Sequence, residues 1–140
     1  MTATILLVDD EKNARNNIGN YLKSLGYEIL LAASLEKARK FVQSQAADII
    51  LLDIQLPDGY GPDLLLETAN LRRRPPIILI TAYGDIDTAV EAMKNGAHDF
   101  IQKPIKFERL ERSIQRANDI IDMRKELDHY RSSHKKSLDE

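Results

Sequence analysis

The chain has no cysteine among its 140 residues, which excludes disulfides, thiol catalysis and thiolate metal sites and fits a reducing compartment. No apolar run approaches the roughly 18 residues of a membrane span, and Met1-Thr2-Ala3-Thr4 lacks the basic region of a secretion signal, so a cytoplasmic protein is expected. There is no basic excess: the net charge of -2 argues against bulk nucleic-acid binding, where a phosphate-tracking surface needs cations. No Gly-x-Gly-x-x-Gly follows an apolar run, which speaks against a dinucleotide site, and neither a Gly-x-x-x-x-Gly-Lys-Ser/Thr phosphate loop nor a helix-turn-helix is recognisable. What remains, 43% hydrophobic and 30% charged, describes one soluble globular domain large enough to bury a real core.

Short apolar, partly β-branched runs alternate with stretches of helical period, the pattern of a parallel sheet buried on both faces. The runs are Ile5 to Val8, Glu28 to Ala32, Asp48 to Leu52, Ile77 to Thr81 and Asp99 to Gln102. Ala14, Ile18, Tyr21, Leu22 and Leu25 mark a first helix that Gly26 closes. Ser34 caps a second, which carries Leu35, Ala38, Phe41 and Val42 inward. Pro62 suits the first turn of a third, running through Leu64 to Ala69. Asp85 caps a fourth, expected to bury Ile86, Ala89, Val90 and Met93 and to stop at Asn95-Gly96. A fifth begins near Phe107. Five strand-helix units predict a doubly wound α/β domain of flavodoxin-like strand order 2-1-3-4-5 over residues 3 to 121, followed by a helical or coiled-coil tail over 122 to 140.

In such sheets ligands bind outside the carboxyl ends of the strands, where the strand order reverses. Asp9 and Asp10 follow the first strand and Asp53 the third, the two that flank that point. Two unit charges about 4 Å apart repel by roughly 4 kcal/mol at an effective dielectric near 20, so a pocket of several carboxylates needs a cation, a proton or water. Oxygen-only ligands favour Mg2+ before Zn2+. Thr81 and Lys103 end the fourth and fifth strands on the same edge. A carboxylate nucleophile, a metal and a lysine to neutralise oxygens, and a hydroxyl donor together suit phosphoryl transfer.

Leu7-Val8-Asp9-Asp10-Glu11, Leu52-Asp53-Ile54-Gln55-Leu56-Pro57 with Gly61, Ile80-Thr81-Ala82 and Lys103-Pro104 closely resemble the receiver domain of two-component response regulators. The resemblance implies that Asp53 accepts a phosphoryl group from a partner histidine kinase, and that the protein catalyses only its own phosphorylation and dephosphorylation. It implies Mg2+ held by Asp10, Asp53 and the Gln55 carbonyl, with Asp9 acting through water. It also implies that Lys103 contacts the phosphoryl oxygens, that Thr81 moves toward them and that Phe100 swings inward in response. Residues 80 to 93 are similar to receivers of the nitrogen-regulation type, which usually precede an ATPase module of sigma-54-dependent activators. That output module is expected but is not in this sequence, so the chain is either a fragment or acts alone. The lifetime of the phosphorylated state would depend on loop residues such as Gln55 and Tyr83.

Two rival classes fit the residues less well. An aspartyl-phosphate phosphatase of the dehalogenase type needs a second Asp two residues after the nucleophile, where this chain has Gln55. A flavodoxin needs a phosphate loop after the first strand, where Asp9-Asp10-Glu11 would repel it. Arg72-Arg73-Arg74 before Pro75-Pro76 reads as a solvated turn rather than an anion patch. His98, His129 and His134 are too scattered for a metal site. The tail has no Gly or Pro, so the fifth helix is free to run on, with Leu110, Ile114, Ala117 and Ile121 covering the sheet. Ile120, Met123, Leu127, Tyr130 and His134 form a second, heptad-like stripe two repeats long, either a homodimer seam or an amphipathic linker. Ser132-Ser133 and Ser137 suggest fraying at the end.

Overall fold

The computed structural model describes residues 3–82 and 85–139, with side chains as far as residue 132. In chain order the elements are β1 (Thr4–Val8), α1 (Lys12–Ser24), β2 (Glu28–Ala32), α2 (Leu35–Gln43), β3 (Ile49–Asp53), β4 (Gln55–Leu56), β5 (Gly59–Tyr60), α3 (Asp63–Thr68), β6 (Ile77–Thr81), α4 (Ile86–Lys94), β7 (Asp99–Gln102) and α5 (Phe107–Asp139). Five strands form a parallel sheet in the order β2-β1-β3-β6-β7. With the small antiparallel hairpin β4-β5 set aside, this is the expected 2-1-3-4-5 order. The register places Val8 beside Leu52 and Asp53 beside Ile80, which aligns the carboxyl ends of the central strands.

The continuous apolar runs are needed because both sheet faces are covered. On one face Leu6, Val8, Ile50, Leu52, Ile77 and Leu79 pack with Leu35, Ala38 and Val42 of α2, Leu64 and Leu65 of α3 and Ala92 of α4. On the other, Ile5, Leu7, Ile49, Leu51, Ile78 and Ile80 pack with Ile18 and Leu22 of α1 and Leu110, Ile114 and Ala117 of α5. Tyr21 of α1 stacks on Phe107 at the root of α5, ring centroids 4.1 Å apart, and donates from its hydroxyl to Glu111 at 3.0 Å.

Helix ends show where local spacing is enough and where it is not. Ser34 caps α2 as expected, its hydroxyl accepting from the Lys37 N–H. A second cap is remote: the carboxylate of Asp58, in the β4-β5 turn, accepts the Leu35 and Glu36 N–H groups at 2.8 and 3.0 Å. Those bonds hold the Asp58 carboxyl below its ordinary range. Glu11 caps α1 by accepting from Asn13 and Ala14. Pro62 stands just before α3, at the cap position rather than in the first turn, and that helix ends at Thr68, one residue short of expectation.

Three expectations are corrected. In α4 only Ala89 and Ala92 are buried, while Ile86, Val90 and Met93 are 40%, 46% and 39% exposed. This nine-residue helix meets the sheet through its small side chains and turns its larger apolar face outward. Asp85 precedes α4 but its side chain makes no cap hydrogen bond. Arg72 and Arg73 are exposed, yet Arg74 is folded in: it donates to the Leu65 and Asn95 carbonyls at 2.8 and 3.2 Å and so joins the ends of α3 and α4.

α5 buries Leu110, Ile114 and Ala117, half-buries Ile121, and continues without a break past Ser132, Ser133 and Ser137 to Asp139. Met123, Leu127 and Tyr130 of the second stripe are exposed, and the side chain of His134 lies outside the described residues. Among the described residues no helix is long and apolar enough to cross a membrane.

Candidate functional site

β1 delivers Asp9 to the carboxyl edge of the sheet, where its N–H still follows the ladder by donating to the Ala32 carbonyl at 3.1 Å. Its Oδ1 accepts the Glu11 N–H at 2.9 Å, which turns the chain into α1. Asp9 Oδ2 is fully buried and has no hydrogen-bond partner among the described residues. An unsatisfied buried carboxylate oxygen is costly and calls for a cation. Asp10, next in the chain, is exposed, while Asp53 at the end of β3 is 8% exposed. One oxygen from each of Asp9, Asp10 and Asp53 lies within 4.8 Å of the others.

Lys103 reaches in from beyond β7. Its N–H donates to the Thr81 carbonyl at 2.8 Å, and a cis Lys103-Pro104 peptide follows. Its ammonium lies 3.3 Å from Asp53 Oδ2 and 3.9 Å from Asp9 Oδ2. Burial pushes the Asp53 carboxyl above its ordinary range and the Asp9 charge adds to this, against the opposing pull of Lys103 and of the Gln55 N–H. One ammonium therefore does not fully compensate the acidic group. An all-oxygen cluster holding an orphaned buried oxygen fits a hard divalent ion such as Mg2+.

The cleft over this cluster is about 390 Å³ and is lined by Asp10, Asp53, Gln55, Ala82, Asp85 and Lys103 among others. Thr81 ends β6 one position before the cleft-lining Ala82; it is buried, with its hydroxyl 3.5 Å from the Ile101 carbonyl. Phe100 lies opposite Leu79, two register steps behind Thr81, and is half-buried against the core shared with α2, α3 and α4. The structure thus brings Asp9, Asp10, Asp53, Gln55 and Lys103 to one crevice and sets Thr81 and Phe100 directly behind it. Tyr83 lies outside the described residues.

Three supports of the site were missed by sequence reasoning. Gly61 lies so close under β3 that a Cβ there would collide with the Asp53 carbonyl oxygen, and its N–H donates to the Ile54 carbonyl at 2.6 Å. The motif around Asp53 includes the glycine but carries no local signal of that approach. Asp85, read as a helix cap, lines the cleft instead. Asp99 binds Arg109 at 2.9 Å through both of its oxygens and takes the Ser113 hydroxyl at 2.8 Å. Burial pushes the Asp99 carboxyl up, but the bonds from Arg109, Ser113 and the Phe100 N–H outweigh it and hold it below the ordinary range. Arg109 also donates to the Phe100 carbonyl at 3.1 Å, so both backbone groups of that aromatic are clamped to the start of α5.

The sequence matches the response regulator receiver domain over residues 5–115. It is 36% identical over 125 residues to the regulatory protein AtoC of Escherichia coli, covering 89% of this chain and 27% of that protein. It is 36% identical over 112 residues to the response regulator protein PilR of Pseudomonas aeruginosa, covering 80% and 25%. The chain therefore spans about a quarter of the length of these curated relatives. Among solved structures, the receiver domain of NtrX from Brucella abortus superposes with a TM-score of 0.75 at 36% identity, covering 81% of this chain and 96% of that one. A longer NtrX structure gives a TM-score of 0.82 at 34% identity, over 91% of this chain and 29% of that one.

Proposed function

The chain belongs to the response regulator receiver domain family, and from that premise we propose that Asp53 is its phosphoacceptor. An Asp53 carboxylate oxygen attacks the phosphorus of a phosphohistidine on a partner kinase, the N–P bond breaks, and the imidazole leaves with a proton from solvent. Hydrolysis of the acyl phosphate returns the carboxylate and inorganic phosphate, so the only chemistry is the domain's own phosphorylation and dephosphorylation. Asp10, Asp53 and the Gln55 carbonyl would hold Mg2+, with Asp9 acting through a bound water. When bound, the ion supplies positive charge to the phosphoryl oxygens and relieves the repulsion among the carboxylates. Lys103, already 3.3 Å from Asp53 Oδ2, shares that neutralising role and orients the acceptor.

Phosphorylation replaces one negative charge with roughly two and adds strong acceptor oxygens. The Thr81 hydroxyl, held among the described residues by nothing stronger than a 3.5 Å approach to the Ile101 carbonyl, is free to turn toward them, and Phe100 follows into the space vacated. Moving such a two-state element from mostly off to mostly on takes about 5.5 kcal/mol of differential interaction, which a few charge-assisted hydrogen bonds can supply. The output read from this switch is a transcriptional module of the sigma-54-dependent ATPase type, in keeping with the similarity to AtoC, PilR and NtrX. Residues 3 to 121 would act as the receiver unit, with the helix beyond them as the joint to that module or to a second copy.

The observation that carries this reading is the convergence of three carboxylate oxygens within 4.8 Å, one of them buried without a donor. Its test is labelling by acetyl phosphate in Mg2+: Asp53→Asn is expected to abolish incorporation, and undiminished labelling would place the acceptor elsewhere.

A further inference from the structure

A second groove, of about 460 Å³, opens at the opposite edge of the sheet from the acidic cleft. Asp48 on its wall and Asp53 in the cleft are separated by the length of β3, roughly 16 Å at 3.3 Å per residue. The groove lies between the α2-β3 turn, the α3-β6 loop and the stretch of α5 beyond Ile121. Arg124 of α5 donates to the Arg74 carbonyl at 2.8 Å and closes one side.

Its charge is lopsided: six cationic side chains line it against two acidic ones. Arg74 is turned away to the ends of α3 and α4, and Asp48 is occupied by the Thr4 N–H at 2.8 Å. Arg72, Arg73, Lys125 and Arg131 are left with no ion pair or side-chain hydrogen bond to any other described residue. The same electrostatics that ask for a cation at the acidic cleft ask for an anion here. Between these cations Leu71, Ile121 and Leu127 supply apolar surface.

The turn that forms one wall is costly to hold. Gly26 and Gly96 take the left-handed conformation just past α1 and α4, but α2 uses Gln45 at φ 56, the only non-glycine residue with positive φ among those described. An L-residue is less favourable there than glycine, and such positions gather at ligand sites. Gln45 lines the groove, where its amide adds a donor that glycine would lack.

The geometry points to this groove as a binding site for a nucleotide-sized polyphosphate anion, held by Arg72, Arg73, Lys125 and Arg131 over an apolar floor. Three of the four free cations are arginines, whose planar forks match phosphate oxygens in pairs, and the volume falls in the small-ligand class rather than suiting a macromolecule. A ligand held from both walls would fasten the outer part of α5 to the α3-β6 loop, reinforcing the Arg124 contact. This site does not depend on the assignment of Asp53.

The test is isothermal titration calorimetry of the whole chain in EDTA with inorganic tripolyphosphate, with ATP and with a pentaglutamate peptide as probes. Saturable one-to-one binding of tripolyphosphate or ATP that weakens with added KCl is expected. Arg72→Gln with Arg73→Gln should lower that affinity by about tenfold or more, while Mg2+-dependent labelling of Asp53 by acetyl phosphate and the circular dichroism spectrum stay unchanged. Tighter binding of ATP than of tripolyphosphate assigns the apolar floor to a nucleoside; equal binding assigns the site to the phosphate chain alone. Failure of both to bind at about 1 mM, equal affinity in the double variant, or pentaglutamate binding as tightly as tripolyphosphate would each overturn the assignment.

Discussion

Adding Mg2+ to the metal-free chain should raise its thermal midpoint substantially, through the three carboxylates at the strand ends. Asp9 and Asp53, both buried, come within 4.8 Å of each other, a repulsion of at least about 3.5 kcal/mol at an effective dielectric near 20. Lys103 at 3.3 Å from Asp53 returns about 5 kcal/mol by the same arithmetic. Its side chain is 34% exposed, so solvent screening leaves only part of that. Asp10 has no cation of its own among the described ion pairs, and a divalent ion relieves the whole group. Free Mg2+ at about one hundred times its dissociation constant stabilises the folded state by roughly 2.7 kcal/mol. The unfolding entropy is about 2.1 cal/mol/K per residue, or roughly 0.29 kcal/mol/K over the chain, so the midpoint should rise by about 9 °C. Differential scanning calorimetry in EDTA and in saturating Mg2+ measures this directly. No shift, or an equal shift in the Asp10→Asn chain, would refute the metal assignment.

Asp53→Asn should stabilise the metal-free protein at neutral pH. The raised Asp53 carboxyl makes its folded state hold a proton more tightly than the unfolded chain, so its contribution is best at low pH and is lost as pH rises through the folded value. Urea unfolding should therefore show the variant's advantage at about pH 7 and none below about pH 4; an advantage that grows on acidification would contradict the sign. Gly61→Ala should cost about 1–3 kcal/mol by forcing the β4-β5 hairpin off the Asp53 carbonyl, and should slow acetyl phosphate labelling in proportion; unchanged stability in urea would show that the hairpin yields freely. Asp99→Ala should cost about 2 kcal/mol, allowing for the exposed part of the Arg109 guanidinium. Because the Asp99 carboxyl is lowered, its contribution is present above the unfolded carboxylate value and fades as pH falls through the folded one. A variant with wild-type stability at neutral pH would remove the clamp on Phe100.

The five strands of the parallel sheet are legible to within a residue because the central ones are short runs of Ile, Leu and Val bounded by polar residues, with Ile77 to Thr81 matching its observed ends; the two-residue β4 and β5 carry no such run. The acidic cluster followed from topology alone: once β1 and β3 are neighbours in register, Asp9 and Asp53 have nowhere else to end. α4 misled because periodicity reports which residues share a stripe, not which stripe faces the sheet. Ile86, Val90 and Met93 form the more hydrophobic stripe, but the sheet takes Ala89 and Ala92. Asp58, Arg74 and Asp99 act across 22, 21 and 10 residues respectively. No local spacing marks such partners, since they meet only after the sheet has ordered the loops.

The Arg109 fork grips β7 at the very root of α5, only a few residues from Lys103, and the 33-residue helix extends about 50 Å from there at 1.5 Å per residue. A rigid rod of that length is a geometric amplifier: a tilt of about 5° at its base carries the far end through roughly 4 Å. A displacement too small to break a hydrogen bond near Asp53 becomes, at the other extremity, a distance comparable to the spacing between neighbouring strands of a sheet.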